Sequence, residues 1–204
     1  MRMSKVLAVV FVVSFVLCAV PAQAVLVGPS NVVLPASPGG LLSFDLVVLD
    51  PMGVSAAAFQ ATITVSGPGG LAFDEAGSLV VDADPGYWIF GNSVGAAAIA
   101  RGSNSYEFGD SPNDPATEAL SVGDIMARYA FTWDGTPVQE YLFCLDLNTT
   151  RSFILNALSF ETQALQFSPG EFEGTDSSFK IPIPEPTTLL LIGLGTLFLR
   201  RKRR

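Results

Sequence analysis

The chain has 204 residues, with eleven Lys and Arg against nineteen Asp and Glu, a formal net charge of −8, two cysteines and no histidine. Without histidine there is no His-dependent triad, no imidazole base and none of the commonest metal ligand. Two cations lie before residue 25 and five after residue 199, so residues 25–186 hold four cations against all nineteen acids, a net charge of −15; such a body disfavours a nucleic-acid partner, because neutralising phosphates needs clustered cations.

The first element is an export leader. Arg2 and Lys5 precede an apolar stretch from Val6 to Val20 that only Ser14 interrupts, and Pro21 follows it. Ala22 and Ala24 then put small residues at the two positions a signal peptidase reads, so residues 1–24 are predicted to be a secretory signal peptide cut after Ala24. Leu17 is too bulky, directly before Cys18, for a lipoprotein site. Once Cys18 leaves with the leader, Cys144 has no internal disulfide partner; its place in Tyr141–Leu145 suggests a buried small hydrophobe rather than a reactive thiol.

The body reads as β throughout. Phe59–Ser66 alternates apolar and polar residues, and in Ile125–Trp133 the residues Ile125, Ala127, Tyr129, Phe131 and Trp133 share one face, with Arg128 and Thr132 on the other. Period two marks half-buried strands of an antiparallel sheet. Further strands are expected at Asn31–Leu34, Leu41–Leu49, Leu79–Val81, Tyr87–Phe90, Ala96–Ala100, Tyr141–Leu147, Ser152–Leu155 and Leu165–Phe167. Turn chemistry separates them, as at Pro38-Gly39-Gly40, Gly67-Pro68-Gly69-Gly70 and Asp134-Gly135-Thr136-Pro137. Asp114 with Pro115 is predicted to open a single helical turn through Glu118. The expected architecture is all-β, a two-sheet antiparallel sandwich over residues 25–172, followed by a linker over 173–183 that its small polar residues and prolines suggest.

Residues 184–204 have three parts: Pro184-Glu185-Pro186, an apolar run from Leu189 to Leu199, and the cations Arg200, Arg201, Lys202, Arg203 and Arg204. Uncharged residues from Thr187 to Leu199 give about 20 Å of helix, short of the ~30 Å hydrocarbon core, so a span here relies on snorkelling cations and local thinning of the bilayer. The terminal cations would stay on the cytoplasmic side.

This order and spacing resembles the PEP-CTERM sorting signal of Gram-negative bacteria. The resemblance implies recognition by an exosortase, transient anchoring in the inner membrane, and delivery to the envelope, cell surface or an exopolysaccharide-rich matrix such as biofilm. A second resemblance concerns the body: Leu120–Thr132, with Leu42-x-Phe44-x-Leu46 and Phe59-x-Ala61-x-Ile63, is similar to segments of cohesin-like jelly-roll domains, which implies a sandwich. No dockerin-type repeat accompanies it.

Site chemistry is sparse. Asp74-Glu75, Asp82-x-Asp84 and Glu171-x-Glu173 offer the paired carboxylates a glycosidase needs, but adjacent acids in turn-rich segments are more often solvated. Asp110, Asn113 and Asp114 offer oxygen ligands for calcium within one loop, beside the plainer reading of a solvated acidic loop. Tyr87-Trp88 offers aromatic faces for a sugar, beside the plainer role of core. No catalytic or cofactor-binding residue is assigned. The expected function is that of an exported, non-enzymatic surface or matrix protein with signal peptidase and exosortase as processing partners, a membrane contact through its tail, and exopolysaccharide as a further partner. The alternative is a tethered or secreted protein that binds or cleaves glycans.

Overall fold

The computed structural model describes residues 24–67, 69–79, 96–111 and 118–183. In chain order they form β1 (Val25–Val33), β2 (Leu41–Asp50), β3 (Ser55–Ser66), β4 (Leu71–Phe73), the short helix α1 (Glu75–Leu79), β5 (Ala97–Ala100), β6 (Ser105–Asp110), β7 (Glu118–Ala119), β8 (Ile125–Trp133), β9 (Glu140–Leu145), β10 (Phe153–Asn156), β11 (Thr162–Phe167), β12 (Gly174–Thr175) and β13 (Ser178–Pro182).

One layer runs β1-β2-β8-β4, antiparallel throughout. The other is built on β3, which carries β6 and then β5 on one edge. Its other edge is shared: β10 pairs with residues 56–60, and β9, backed by β13 and β12, pairs with 63–66. β11 joins the layers, antiparallel to β10 and parallel to β1. Between β9 and β10 the ladder is closed by side chains. The Thr62 amide donates to Ser152 Oγ at 3.0 Å, Thr62 Oγ1 donates to the Arg151 carbonyl at 2.8 Å, and the Asp146 amide donates to the Thr62 carbonyl. Thr62 and Ser152 are fully buried, so these bonds satisfy groups that water cannot reach.

The period-two pattern of β8 is realised as read: Ile125, Ala127, Tyr129, Phe131 and Trp133 all face the core. From β2 come Leu42, Phe44, Leu46 and Val48. Phe44 sits at the centre of an aromatic cluster, 5.0 Å from Phe143 and 4.9 Å from Phe179 in edge-on contacts, with Tyr129 stacked at 5.4 Å. Such geometry adds to area burial through the ring quadrupoles.

Several expectations are corrected. Residues 173–183 are no linker: β12 and β13 lie within them, and Phe179, Ile181 and Ile183 are buried in the core. Alternate burial of those three side chains against β9 outweighs the polar and proline-rich composition around them. Leu79 ends a helix rather than opening a strand, because Asp74 caps that helix, its Oδ1 accepting from the Gly77 amide at 2.8 Å. Glu118 belongs to β7, while residues 114–117 of the expected helical turn lie outside the described residues. Cys144 is half-buried, on the face opposite Tyr141, Phe143 and Leu145. Burial raises its thiol pKa, a hydrogen bond with Thr64 acts in the other direction, and the net rise leaves a poor nucleophile. β6, unassigned from sequence, alternates Tyr106, Phe108 and Asp110 inward.

Candidate functional site: the two ends of the sandwich

β1 runs from Val25 at one end of the sandwich to Val33 at the other, where Val33 pairs with Ser43 and Leu41 with Thr132. The chain leaves the fold at that second end. Pro182 pairs with Glu140, the Ile183 amide donates to the Gln139 carbonyl at 3.0 Å, and the Ile183 side chain is only 4% exposed. Pro184 is the next residue, so no free chain separates the core from Pro184-Glu185-Pro186.

Three loops surround this exit and contact one another. In loop 34–40 the Gly39 amide donates to the Trp133 carbonyl, and Pro38 lies against Gly135 of loop 134–139. The Asp134 amide donates to the Gly70 carbonyl, and Tyr141 Oη donates to Gly69 in loop 67–70. Gly70 and Gly135 both have positive φ, at 90° and 95°, and a Cβ at either would collide with the facing loop, so glycine is what lets these loops approach. Trp133 Nε1 donates to the Thr136 carbonyl, and the Asp134 carboxylate accepts from Thr136, whose hydroxyl first and whose amide second hold its pKa below the usual range. Val33, Leu34 and Leu41 are exposed here.

The opposite end is built differently. Val54 accepts from the Leu120 amide and Ser55 from the Ala157 amide, so the loop before β8 and the β10–β11 turn flank the start of β3. That turn presents Leu158, 76% exposed, and Phe160, 78% exposed. Asn156 folds it: its Oδ1 accepts from the Leu158 amide at 2.8 Å, and its carbonyl accepts from the Phe160 amide. Phe160 has φ 57°, a left-handed conformation that costs a β-carbon residue about 1 kcal/mol. An aromatic held in that conformation and turned outward is an unusual surface feature. Exposed Met52 and Val122 lie in the adjoining loops, with Asp50 at the end of β2 and Asp124 just before β8.

The paired acids expected from sequence have structural work. Asp74 caps α1, and Glu173 accepts from Lys180 Nζ at 3.0 Å. Asp82, Asp84, Tyr87 and Trp88 lie outside the described residues. So do Asn113 and Asp114 of the calcium candidate, whereas Asp110 is buried at the end of β6 and accepts from the Ser111 amide at 2.7 Å. Among the described residues no group of three or more Cys, Asp or Glu could hold a metal. Ala24 precedes β1; Ala22, Pro184, Glu185, Pro186 and Arg200–Arg204 lie outside the described residues. Among the described residues no helix is long and apolar enough to cross a membrane.

All four cations of residues 25–183 are engaged with carboxylates of the body. Arg101 pairs with Glu107, Arg128 with Asp45, Arg151 with Asp146 at 3.8 Å, and Lys180 with both Glu140 and Glu173 at 3.0 Å. A groove of about 490 Å³ lies beside β1 and β11, lined by Leu26, Leu147, Gln166, Phe167, Ser168 and Asp176. Among the described residues its lining holds one carboxylate, that of Asp176.

Residues 182–204 match the family model described as the PEP-CTERM protein-sorting motif. The match indicates an exported chain sorted through its tail by an exosortase. None of the curated proteins matches the chain. Among solved structures the body is similar to cohesin modules. These include the sixth cohesin of scaffoldin B from Acetivibrio cellulolyticus, solved in complex with a dockerin (9% identity, TM-score 0.51, covering 79% of this chain and 100% of that one). The seventh type I cohesin of ScaB from Pseudobacteroides cellulosolvens gives 9% identity and a TM-score of 0.51, covering 79% and 92%. The cohesin module of a family 33 glycoside hydrolase from Clostridium perfringens gives 8% identity and a TM-score of 0.50, covering 79% and 98%. At these identities the likeness concerns the fold: a cohesin-like β-sandwich with a C-terminal sorting motif.

Proposed function

We propose that this chain is a non-enzymatic binding module of the cell surface or extracellular matrix of a Gram-negative bacterium, delivered by signal peptidase at Ala22-x-Ala24 and by an exosortase at Pro184-Glu185-Pro186. The observation that carries the reading is the match of residues 182–204 to a sorting motif, joined without a spacer to the last core residue, Ile183. The cohesin-like body supports a role in binding, and the exposed Leu158–Phe160 turn, at the end away from the tail, supports a protein as the bound partner. Exopolysaccharide is then the surrounding material. An acidic polysaccharide has no unpaired body cation to engage, so charge attraction is not what holds the protein there.

Replacing Pro184, Glu185 and Pro186 by alanine in the producing cell tests the delivery step. The expected result is a full-length form retained in the membrane. Parent and variant of equal mass and equal distribution between membrane and exterior would reduce the tail to a plain anchor.

A further inference from the structure

The tail-bearing end of the sandwich differs from the rest of an acidic body. The segments 33–41, 66–71 and 134–139 that surround the exit at Ile183 contain one charged residue, Asp134. They expose Val33, Leu34 and Leu41. At the far end Asp50, Asp124 and Glu161 stand beside the exposed apolar residues, whereas the charges that flank the tail-bearing segments, Glu140 and Arg101, are each held in an ion pair, with Lys180 and Glu107.

The tether is short. Between Ile183, fixed in the core, and Leu189, where the apolar run begins, lie residues 184–188, which span at most about 17 Å when fully extended. The headgroup layer on one side of a bilayer takes up about 6 Å of that. A sandwich whose strands are about 26 Å long cannot swing clear of the surface on such a lead. Whatever surrounds Ile183 therefore faces the lipid. Anionic headgroups repel carboxylates, and exposed aliphatic side chains gain by entering the interface.

We infer that before processing the sandwich stands upright on the outer face of the inner membrane, with the Val33–Leu41 loop resting in the lipid interface and the Leu158–Phe160 turn pointing away. The inference rests on the reading of the tail as a membrane segment. The occupant of this end is the lipid surface. Docking of these loops on the exosortase is the competing outcome.

The test uses residues 25–204 in vesicles of phosphatidylethanolamine with a minority of phosphatidylglycerol, without exosortase. Flotation of the vesicles reads membrane insertion of the tail. Single cysteines at Leu34, Leu41 or Val122, in a Cys144→Ser background, carry an environment-sensitive fluorophore. Nitroxide-labelled lipid is expected to quench the probes at Leu34 and Leu41 at least about twofold more than the probe at Val122. In the Val33→Asp variant the probe at Leu34 should lose that difference while the protein still floats. A chain that does not float overturns the tail reading. A chain that floats with all three probes equally quenched, or with none, overturns the upright platform alone. Protection of Leu34 and Leu41 that appears only when exosortase is added assigns this end to the enzyme and overturns the lipid contact.

Discussion

Arg128 on β8 grips Asp45 on β2 with both sides of its guanidinium, Nε donating to Oδ1 at 2.6 Å and Nη2 to Oδ2 at 2.8 Å. Asn31 Nδ2 donates to the same Oδ2 at 2.9 Å. The Asp45 side chain is fully buried and that of Arg128 is 29% exposed, so the pair draws a charge out of water and then satisfies it. Arg128→Met leaves that carboxylate buried with Asn31 as its remaining side-chain donor. The expected loss is about 3 kcal/mol in urea unfolding of residues 25–183, with a smaller loss for Arg128→Met combined with Asp45→Asn. A single variant as stable as the parent would show that the pair is solvated in solution.

The carboxyl boundary of the fold gives a second prediction. A chain ending at Glu173 lacks Phe179, which contacts Phe44, Phe143, Phe167 and Phe172, along with Ile181 and Ile183. It should fail to unfold cooperatively, whereas a chain ending at Ile183 should give a single transition. Equal cooperativity of the two would return residues 174–183 to the status of a linker.

Burial, and secondarily the charge of Glu107, hold the Tyr129 phenol pKa well above its ordinary value, and its Oη donates to the Ala61 carbonyl at 2.8 Å. The unfolded chain ionises tyrosine near pH 10, so this contribution is complete below about pH 10 and is lost as pH rises from there toward the folded pKa. Phenolate absorbance of Tyr129 should therefore appear only with unfolding. Tyr129→Phe should lower stability by about 1–2 kcal/mol at neutral pH and flatten the alkaline decline. Phenolate formation at Tyr129 in a folded chain, read as the difference from Tyr129→Phe, would contradict the buried position.

Phe160 supplies the fourth prediction. Glycine adopts its φ of 57° without the steric cost, so Phe160→Gly should raise stability by up to about 1 kcal/mol in thermal or urea unfolding. If the exposed ring is an anchor for a partner, the same variant should lose that partner in pull-downs from the producing cell. Gain of stability with unchanged capture would assign partner binding elsewhere.

Sequence alone reveals β3 and β8 through their period-two alternation, and β2 through an apolar run between turn signals that the fold buries on both faces. It hides β6, whose inward positions are a tyrosine, a phenylalanine and an aspartate. It misplaces β13 because Pro182 and the Gly174–Ser178 hairpin share their composition with linkers, and only contact with β9 shows that Phe179 and Ile181 alternate into the core. Asp74 followed by Glu75 was a readable helix start, masked by the β-branched Val80-Val81 after it. The sorting motif is legible because it is linear. The Leu158–Phe160 turn is not, since nothing in those residues announces a left-handed phenylalanine. The outward display depends on the Asn156 bonds.

Strand β1 starts at Val25, fully buried, and the opposite terminus of the sandwich closes on Ile183. Exopeptidases work on loose chain, a few residues at a time. A body cut after Ala24 and within or after Pro184-Glu185-Pro186 would offer them hydrogen-bonded strand at its amino end and, at its carboxyl end, no more than a proline-bounded stub. Outside the cell, where chaperones and resynthesis do not repair damage, such trimmed ends would give the shed domain a long working life.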